Sequence, residues 1–367
     1  MTEVQLKIKI ATVVGARPQF IKAAVLSRLF DQEASVEEVL IHSGQHYDHN
    51  MSEQFFSELG IPKPKYNLGV NPGTQAEQTG SIMKKIEPVL INESPDLVLV
   101  YGDTNTTLAA AITAKKLNLK LAHIEAGLRS FRSGMSEEIN RIVTDRISDY
   151  LFCPSQISKD HLAREGISDG VFVSGDIMLD IFLETLRKSD ESEVLRSYGL
   201  KPKCFYFVTF HRAENVDNTV NLRNIVRGLQ SLAQGPKEVV VALHPRSLNA
   251  IKRAGLSFSN VRVLSPLPYH QTVVLLVNAS AVITDSGGLQ KEAYFAKTAC
   301  VTLRDETEWV ETLNAGHNRL LPTNNPINLR VAVDKAEKIS FKNVTSHYGN
   351  GSAGKAIIAE LKRCLSA

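Results

Sequence analysis

The chain reads as an α/β protein made of two Rossmann-like domains whose parallel sheets face each other across a cleft. Three observations predict this. Short β-branched runs alternate with helical patterns almost from end to end. The alternation pauses once, over residues 175–200, and then resumes. At 367 residues the chain is also long enough for two domains of ordinary size. The expected division is 1–174, 175–350, and a terminal helix within 351–367 that returns to the first domain.

In order, Ile8–Val14, Val39–His42, Leu97–Tyr101, Lys120–Ile124, Tyr150–Phe152 and Val171–Ser174 are short and apolar, as strands buried on both faces are. Phe20–Phe30, Met51–Leu59, Glu77–Ser94, Thr107–Leu117, Glu137–Ser148 and Ile157–Glu165 carry the helical period between them. Gly175 to Leu200 reads as one long helix with a charged run from Arg187 to Glu193. Strands then follow at Phe205–Thr209, Glu238–Leu243, Val261–Leu264, Ala281–Thr284 and Ala299–Val301, and Lys355–Leu365 is the last helix.

Composition narrows the function. A hydrophobic content of 43% and a charged content of 22% are those of a globular protein. A formal charge of +3 gives no support to nucleic-acid or polybasic membrane binding. Cys153, Cys204, Cys300 and Cys364 are widely spaced, which argues for a reducing compartment with buried or inert thiols rather than disulfides or zinc. With no signal-peptide core and no long apolar run, a cytoplasmic protein without membrane contact is expected.

Ligands of open α/β sheets bind beyond the carboxyl ends of strands. Arg17, Asp103, Glu125, His211, His244 and Ser286 all stand just after expected strands, so all should face the same cleft. Asp285-Ser-Gly-Gly-Leu-Gln-Lys-Glu292 pairs a strand end with a glycine-flanked helix start, which suits a phosphate. Glu292 would sit about one turn inside, where its carboxylate can take ribose hydroxyls. The alternative is a capped turn with no ligand, Asp285 or Ser286 being the N-cap. Gly15-Ala-Arg-Pro is a second phosphate-friendly element, with Arg17 and Lys22 flanking a helix start that Pro18 favours. Neither G-x-G-x-x-G nor a Walker loop is present.

Three acidic groups follow strands of the first half or open a helix there: Asp103, Glu125 and the pair Glu137–Glu138. They point to proton transfer, since they would oppose a phosphate. For Asp103 the competing reading is an Asx-turn, and for Glu137 and Glu138 it is helix-dipole complementation with Ser136 as cap. In the second half His211-Arg212 and His244-Pro-Arg246 could bind phosphate oxygens or assist a leaving diphosphate. No metal-ligand framework is evident.

Together, Gly15-Ala-Arg-Pro, Gly102-Asp-Thr-Asn-Thr, His123-Ile-Glu-Ala-Gly-Leu-Arg, Glu137-Glu-x-Asn-Arg141 and Asp285-Ser-Gly-Gly-x-Gln-Lys-Glu292 resemble the motifs of the non-hydrolysing UDP-N-acetylglucosamine 2-epimerases. The resemblance runs from about residue 8 to residue 355. It implies a GT-B fold, usually a homodimer, and inversion at C2 of a UDP-2-acetamido sugar with no cofactor and no metal. UDP leaves across C1–C2 to give a 2-acetamidoglycal and is added back with the proton on the other face. Carried over by position, Arg17, Lys22, His211, Ser286, Gly287, Gly288 and Glu292 would hold UDP. Asp103, Glu125 and Glu137 would be the acid/base groups, and His211 would assist the departing diphosphate. Gln45 and His46 match a region that contacts a second UDP-sugar in some regulated members.

The chain departs from the pattern usual for members acting on UDP-N-acetylglucosamine. Gly15-Ala-Arg-Pro-Gln19 stands for Gly-Thr-Arg-Pro-Glu, and Thr307-Glu-Trp-Val-Glu311 places Trp309 where an arginine is common. Ser136 replaces a more usual proline. With Phe210-His-Arg-Ala-Glu-Asn215 and Asn50-Met-Ser-Glu-x-Phe-Phe56, these features resemble the branch acting on UDP-2,3-diacetamido-2,3-dideoxy-D-glucuronate, whose mannuronate product enters surface polysaccharides such as O-antigen. Arg132, Arg304 or Lys291 could meet that sugar's carboxylate. UDP-N-acetylglucosamine is the next substrate, and a GT-B UDP-dependent glycosyltransferase is the rival reaction class.

Overall fold

Apolar strands buried on both faces demand a parallel sheet with helices above and below. The computed structural model, which describes residues 7–45, 62–132, 134–314, 316–339, 341 and 346–365, contains two of them. The chain forms two units, residues 1–181 with 346–367, and residues 182–345.

The first unit carries the seven-stranded sheet β3-β2-β1-β4-β5-β6-β7. Its strands are β1 (Ile8–Val14), β2 (Val36–His42), β3 (Tyr66–Asn67), β4 (Leu97–Tyr101), β5 (Lys120–Ile124), β6 (Tyr150–Cys153) and β7 (Val171–Val173). Every pairing is parallel. β4 reads Leu-Val-Leu-Val-Tyr and is buried along its whole length. Two of its helices start where side chains satisfy free N–H groups. Thr74 and Glu77 form a capping box ahead of Gln75–Glu93, and Thr104 caps Asn105–Lys116. Ile82, Ile86 and Leu90, spaced by four, meet Val98 and Val100 in one core. The last helix, Ala353–Leu365, belongs to this unit. Asp180 accepts its first amides, from Ala353 and Gly354, and Lys362 pairs with Glu33 at 2.7 Å.

The second unit has the six-stranded sheet β10-β9-β8-β11-β12-β13, also parallel throughout. Its strands are β8 (Phe205–Thr209), β9 (Glu238–Ala242), β10 (Val261–Leu264), β11 (Ala281–Thr284), β12 (Ala299–Thr302) and β13 (Asn318–Leu320). β8 shows why both faces are covered: Phe205 and Phe207 enter one core, Tyr206 and Val208 the other.

One expectation fails. The segment from Gly175 to Leu200 holds two helices, Ile177–Lys188 and Glu191–Ser197, rather than one. Asp190 accepts a hydrogen bond from the Glu193 amide at 2.9 Å and so starts a new helix inside the charged run. β3 and β13 were not anticipated, being only two and three residues long. The expected helix Met51–Leu59 lies outside the described residues.

Both sheets pass through the same reversal of strand order, beside β1 and β4 in one and beside β8 and β11 in the other. Ligands of doubly wound folds bind at such a switch point.

Candidate active site

In the first unit the switch point gathers charged side chains. Lys22, on the helix Arg17–Asp31, donates a hydrogen bond to Glu125 Oε2, and both side chains are almost wholly buried. Glu125 stands directly after β5 at φ 71°, a left-handed backbone conformation uncommon for a residue with a Cβ. Its amide and that of Ala126 both donate to Phe152 O at 3.1 Å, which holds the turn. Gly102, at φ 61°, gives β4 a tight exit beside this pair. A Cβ on it would lie 3.4 Å from Glu125 Oε2 and 3.5 Å from Lys22 Nζ.

Asp103 follows and accepts two bonds on one oxygen, from Arg141 Nε at 2.9 Å and from its terminal nitrogen at 2.7 Å. Asn140 Nδ2 donates to the Asp103 carbonyl at 2.8 Å. Arg141 also reaches Glu138 at 2.8 Å, and Glu138 receives the amides of Ser130 and Phe131 and the Ser130 hydroxyl. Burial works against the Glu138 charge, but the amides of Ser130 and Phe131 and the Arg141 guanidinium outweigh it and hold its pKa below the usual carboxylate value. Glu138 is thus a loop anchor. Glu137 is half-buried in the first turn of the helix Ser136–Ile147 and accepts from the Ser136 hydroxyl at 3.0 Å. Ser136 is not the cap: Met135 holds that position, with no side-chain hydrogen bond.

Gln19 accounts for one departure from the expected motif. Its Oε1 accepts the amides of Gly15 and Ala16, and its Nε2 donates to Tyr101 O and Thr107 Oγ1. Gln45 accepts from the Thr106 amide and hydroxyl. His46, the Asn50–Phe56 motif and the Arg17 side chain lie outside the described residues.

In the second unit Asp285 is fully buried and orders the loop after β8. It accepts from the amides of His211 and Arg212 and from Asn215 Nδ2 at 3.0–3.1 Å. The His211 ring stays more than half exposed, its Nδ1 3.6 Å from Asp285 Oδ1. Ser286, rather than Asp285, caps the helix Gly287–Phe295 by accepting the Leu289 amide. Gly287 permits a close approach: a Cβ there would stand 2.6 Å from Glu308 Oε1 and 3.3 Å from Trp309 Nε1. Glu292 accepts a hydrogen bond from the Tyr269 hydroxyl at 2.9 Å.

The cations offered for a substrate carboxylate differ sharply. Lys291 is 2% exposed and stacks its ammonium 3.9 Å from the centre of the Trp309 ring. Arg304 pairs with Glu308 at 3.0 Å, whereas Arg132 is exposed. His244 caps the helix Pro245–Arg253, and Arg246 pairs with Asp217 at the surface.

Sequence reasoning missed the partners of these residues. The pairing of Lys22 with Glu125 spans 103 positions, and that of Arg141 with Asp103 spans 38. A signal existed in His123, a polar residue inside an apolar strand, and in Asp145, one of several polar residues on the buried face of the helix Ser136–Ile147. Among the described residues no group of three or more His, Cys, Asp or Glu is arranged to hold a metal ion. No described helix is long and apolar enough to cross a membrane.

Residues 28–362 match the family model described as UDP-N-acetylglucosamine 2-epimerase. The chain is 43% identical over 359 residues to UDP-2,3-diacetamido-2,3-dideoxy-D-glucuronate 2-epimerase of Pseudomonas aeruginosa, covering 97% of this chain and 100% of that one. It is 42% identical over 364 residues to a UDP-N-acetylglucosamine 2-epimerase homolog of Methanococcus maripaludis, covering 97% and 99%. Its structure resembles that of the Methanocaldococcus jannaschii UDP-GlcNAc 2-epimerase solved with UDP-GlcNAc and UDP, with a TM-score of 0.86, 40% identity and coverage of 97% and 99%. With two parallel-sheet α/β units of GT-B type and near-complete coverage by these relatives, the chain belongs to the UDP-N-acetylglucosamine 2-epimerase family, non-hydrolysing UDP-sugar 2-epimerases that are isomerases acting on carbohydrates.

Proposed function

We propose that this epimerase acts on UDP-2,3-diacetamido-2,3-dideoxy-D-glucuronate and yields the mannuronate epimer for surface polysaccharide such as O-antigen. The observation that carries the reading is the pairing of Trp309 with buried Lys291 beside Gly287, in a segment where members acting on UDP-N-acetylglucosamine usually have an arginine. A stacked aromatic there reshapes the surroundings of the nucleotide-sugar for a bulkier ring. The identity to the Pseudomonas relative supports the same substrate. Arg132 is the exposed cation of the three considered for the C6 carboxylate.

In this reading Arg17, Lys22, His211, Ser286, Gly287, Gly288 and Glu292 hold UDP, and Lys22 also neutralises Glu125. Asp103, Glu125 and Glu137 move protons. One carboxylate takes the C2 proton as the C1–O bond to UDP breaks, leaving a 2-acetamidoglycal and free UDP. His211 and the start of the helix Gly287–Phe295 stabilise the departing diphosphate. UDP then re-forms the C1–O bond while a proton is delivered to the opposite face of C2. No cofactor takes part. The enzyme works in the cytoplasm as a homodimer.

Proton NMR in deuterated water, with each UDP-sugar supplied separately and no acceptor, tests both levels. Deuterium should enter C2 of the diacetamido-glucuronate at a higher kcat/KM than C2 of UDP-N-acetylglucosamine. The reverse order would overturn the substrate and favour UDP-N-acetylglucosamine, the compound bound in the Methanocaldococcus relative. Asp103→Asn and Glu125→Gln should lower exchange by about 100-fold or more while UDP still binds; undiminished exchange would end the acid/base assignment.

A further inference from the structure

We infer that His123 and Asp145 are positioning residues for the epimerisation, a buried imidazole–carboxylate pair that fixes the two loops carrying Asp103 and Glu125 relative to each other. Both side chains are 0% exposed, and His123 Nδ1 lies 2.7 Å from Asp145 Oδ1. The other ring nitrogen, Nε2, lies 2.8 Å from the carbonyl oxygen of Gly102, the residue before Asp103. Asp145 Oδ2 accepts the Gly127 amide at 3.1 Å, two residues after Glu125, and the Arg129 guanidinium at 2.7 Å. Arg129 in turn makes a two-pronged contact with Glu165, 2.7 Å on each arm.

The geometry gives one carboxylate two duties. Through His123 it holds the Gly102–Asp103 peptide at the end of β4. Directly, it holds the turn after β5 in which Glu125 has its left-handed backbone. The two strands are neighbours in the sheet, with Tyr101 opposite Ile124, so both acids are located from one point. Asp145 reaches that point from the helix Ser136–Ile147, which also supplies Asn140 to the Asp103 carbonyl and Arg141 to its carboxylate.

Hydrogen bookkeeping supports the pairing. The Gly102 carbonyl can only accept, so Nε2 carries a hydrogen. The contact with Asp145 needs one more proton, shared between Nδ1 and Oδ1. With that proton the two acids, one guanidinium and one imidazole sum to zero charge, with His123, Asp145 and Arg129 buried and Glu165 at the solvent-facing end. A neutral, fully bonded network suits a rigid support, since an unmatched buried charge there would be costly.

This inference rests on Asp103 and Glu125 being the proton-moving groups. If Asp103→Asn and Glu125→Gln keep exchange, that assignment fails whatever Asp145 does; if they lose it while Asp145→Asn does not, the positioning role fails alone. A displacement of about 1 Å at a reacting group can cost about 100-fold in rate. Asp145→Asn should therefore lower kcat by about that factor, with KM within about threefold and UDP affinity by calorimetry unchanged. Leu90→Ala, a core cavity outside the network, controls for lost stability; an Asp145→Asn variant no slower than this control would overturn the inference. Should Asp145→Asn not fold, His123→Gln and His123→Leu decide: the amide can still donate to Gly102 O, so His123→Gln should keep about tenfold more kcat. Equal losses would overturn it, as would a nitrogen NMR spectrum showing the wild-type His123 Nε2 without a proton.

Discussion

Exchanging Gln19 for glutamate alters no volume, yet it should separate the two halves of a four-bond arrangement. Gln19 is 1% exposed. Its oxygen accepts from Gly15 and Ala16 at 2.8 and 3.0 Å, and a carboxylate would keep both bonds. Its nitrogen donates to Tyr101 O at 2.8 Å and Thr107 Oγ1 at 2.9 Å, and there a carboxylate oxygen would face a carbonyl with no hydrogen between them. The Thr107 hydroxyl cannot repair both contacts, because its single proton already goes to Tyr101 O at 2.7 Å. Losing these donors costs roughly 1–3 kcal/mol, and the buried charge adds several more. Stronger amide contacts return roughly 1.5–3 kcal/mol. The net for the ionised form is about 3 kcal/mol.

Protonation reverses most of that loss, since a carboxylic acid can donate to Tyr101 O. The folded state of Gln19→Glu therefore holds its proton more tightly than the unfolded chain does, and the variant's stability deficit grows as pH rises through the folded pKa. A unit of this size shifts by about 2–4 °C per kcal/mol, so the variant should melt about 6–12 °C below wild type near about pH 8 and much closer to it near about pH 5. Calorimetric melting of both proteins across that range is the assay. Equal melting temperatures at the alkaline end, or a gap that ignores pH, would show that Gln19 is not held by the donors described.

Glu138 shows the opposite sign. Its folded pKa is depressed, so its contribution is complete above the unfolded value of about 4.3 and fades as pH falls through the folded one; Glu138→Gln should flatten the acid limb of the stability curve, and an unchanged limb would count against the anchor. Asp285→Ala strands three N–H donors at roughly 1–3 kcal/mol each, less any sharing, and should lower UDP affinity along with stability. UDP titration by calorimetry with unaltered affinity would refute its part in ordering the His211 loop. Burial pushes the Cys300 thiol up to about 12 and raises Cys153 as well, whereas Cys204 is exposed. A thiol reagent at neutral pH should label Cys204 first, with Cys153 and Cys300 reacting only on unfolding; early labelling of either buried thiol, seen by mass spectrometry, would contradict the core described.

The strands and their parallel pairing were legible because β4, β8 and β11 are continuous apolar runs bounded by turn residues, and parallel sheets leave that trace. Helix starts were less so. Ser136 looked like a cap by residue type, but the residue before it took the position, and Asp190 cut a helical run that periodicity alone left whole. Of the site, residues placed directly after strands could be named, because topology aims them at one edge. Their partners could not. Nothing local ties Arg141 to Asp103, Asp145 to His123, or Lys22 to Glu125.

The two sheets share one strand order, so topology by itself would permit the same chemistry at both switch points. Buried acids make the difference, through what each is bonded to. Asp285 spends its oxygens on backbone amides and Asn215, which makes it a scaffold for a loop. Glu125 and Asp103 instead face the cations Lys22 and Arg141, partners supplied by side chains rather than by the backbone. An acid held by backbone amides resists taking a proton without unfolding its loop. One paired with a side-chain cation can exchange partners when substrate enters. Bonding partners, rather than residue type, thus support the proposed proton transfer at Glu125 and Asp103 and set Asp285 apart as a scaffold.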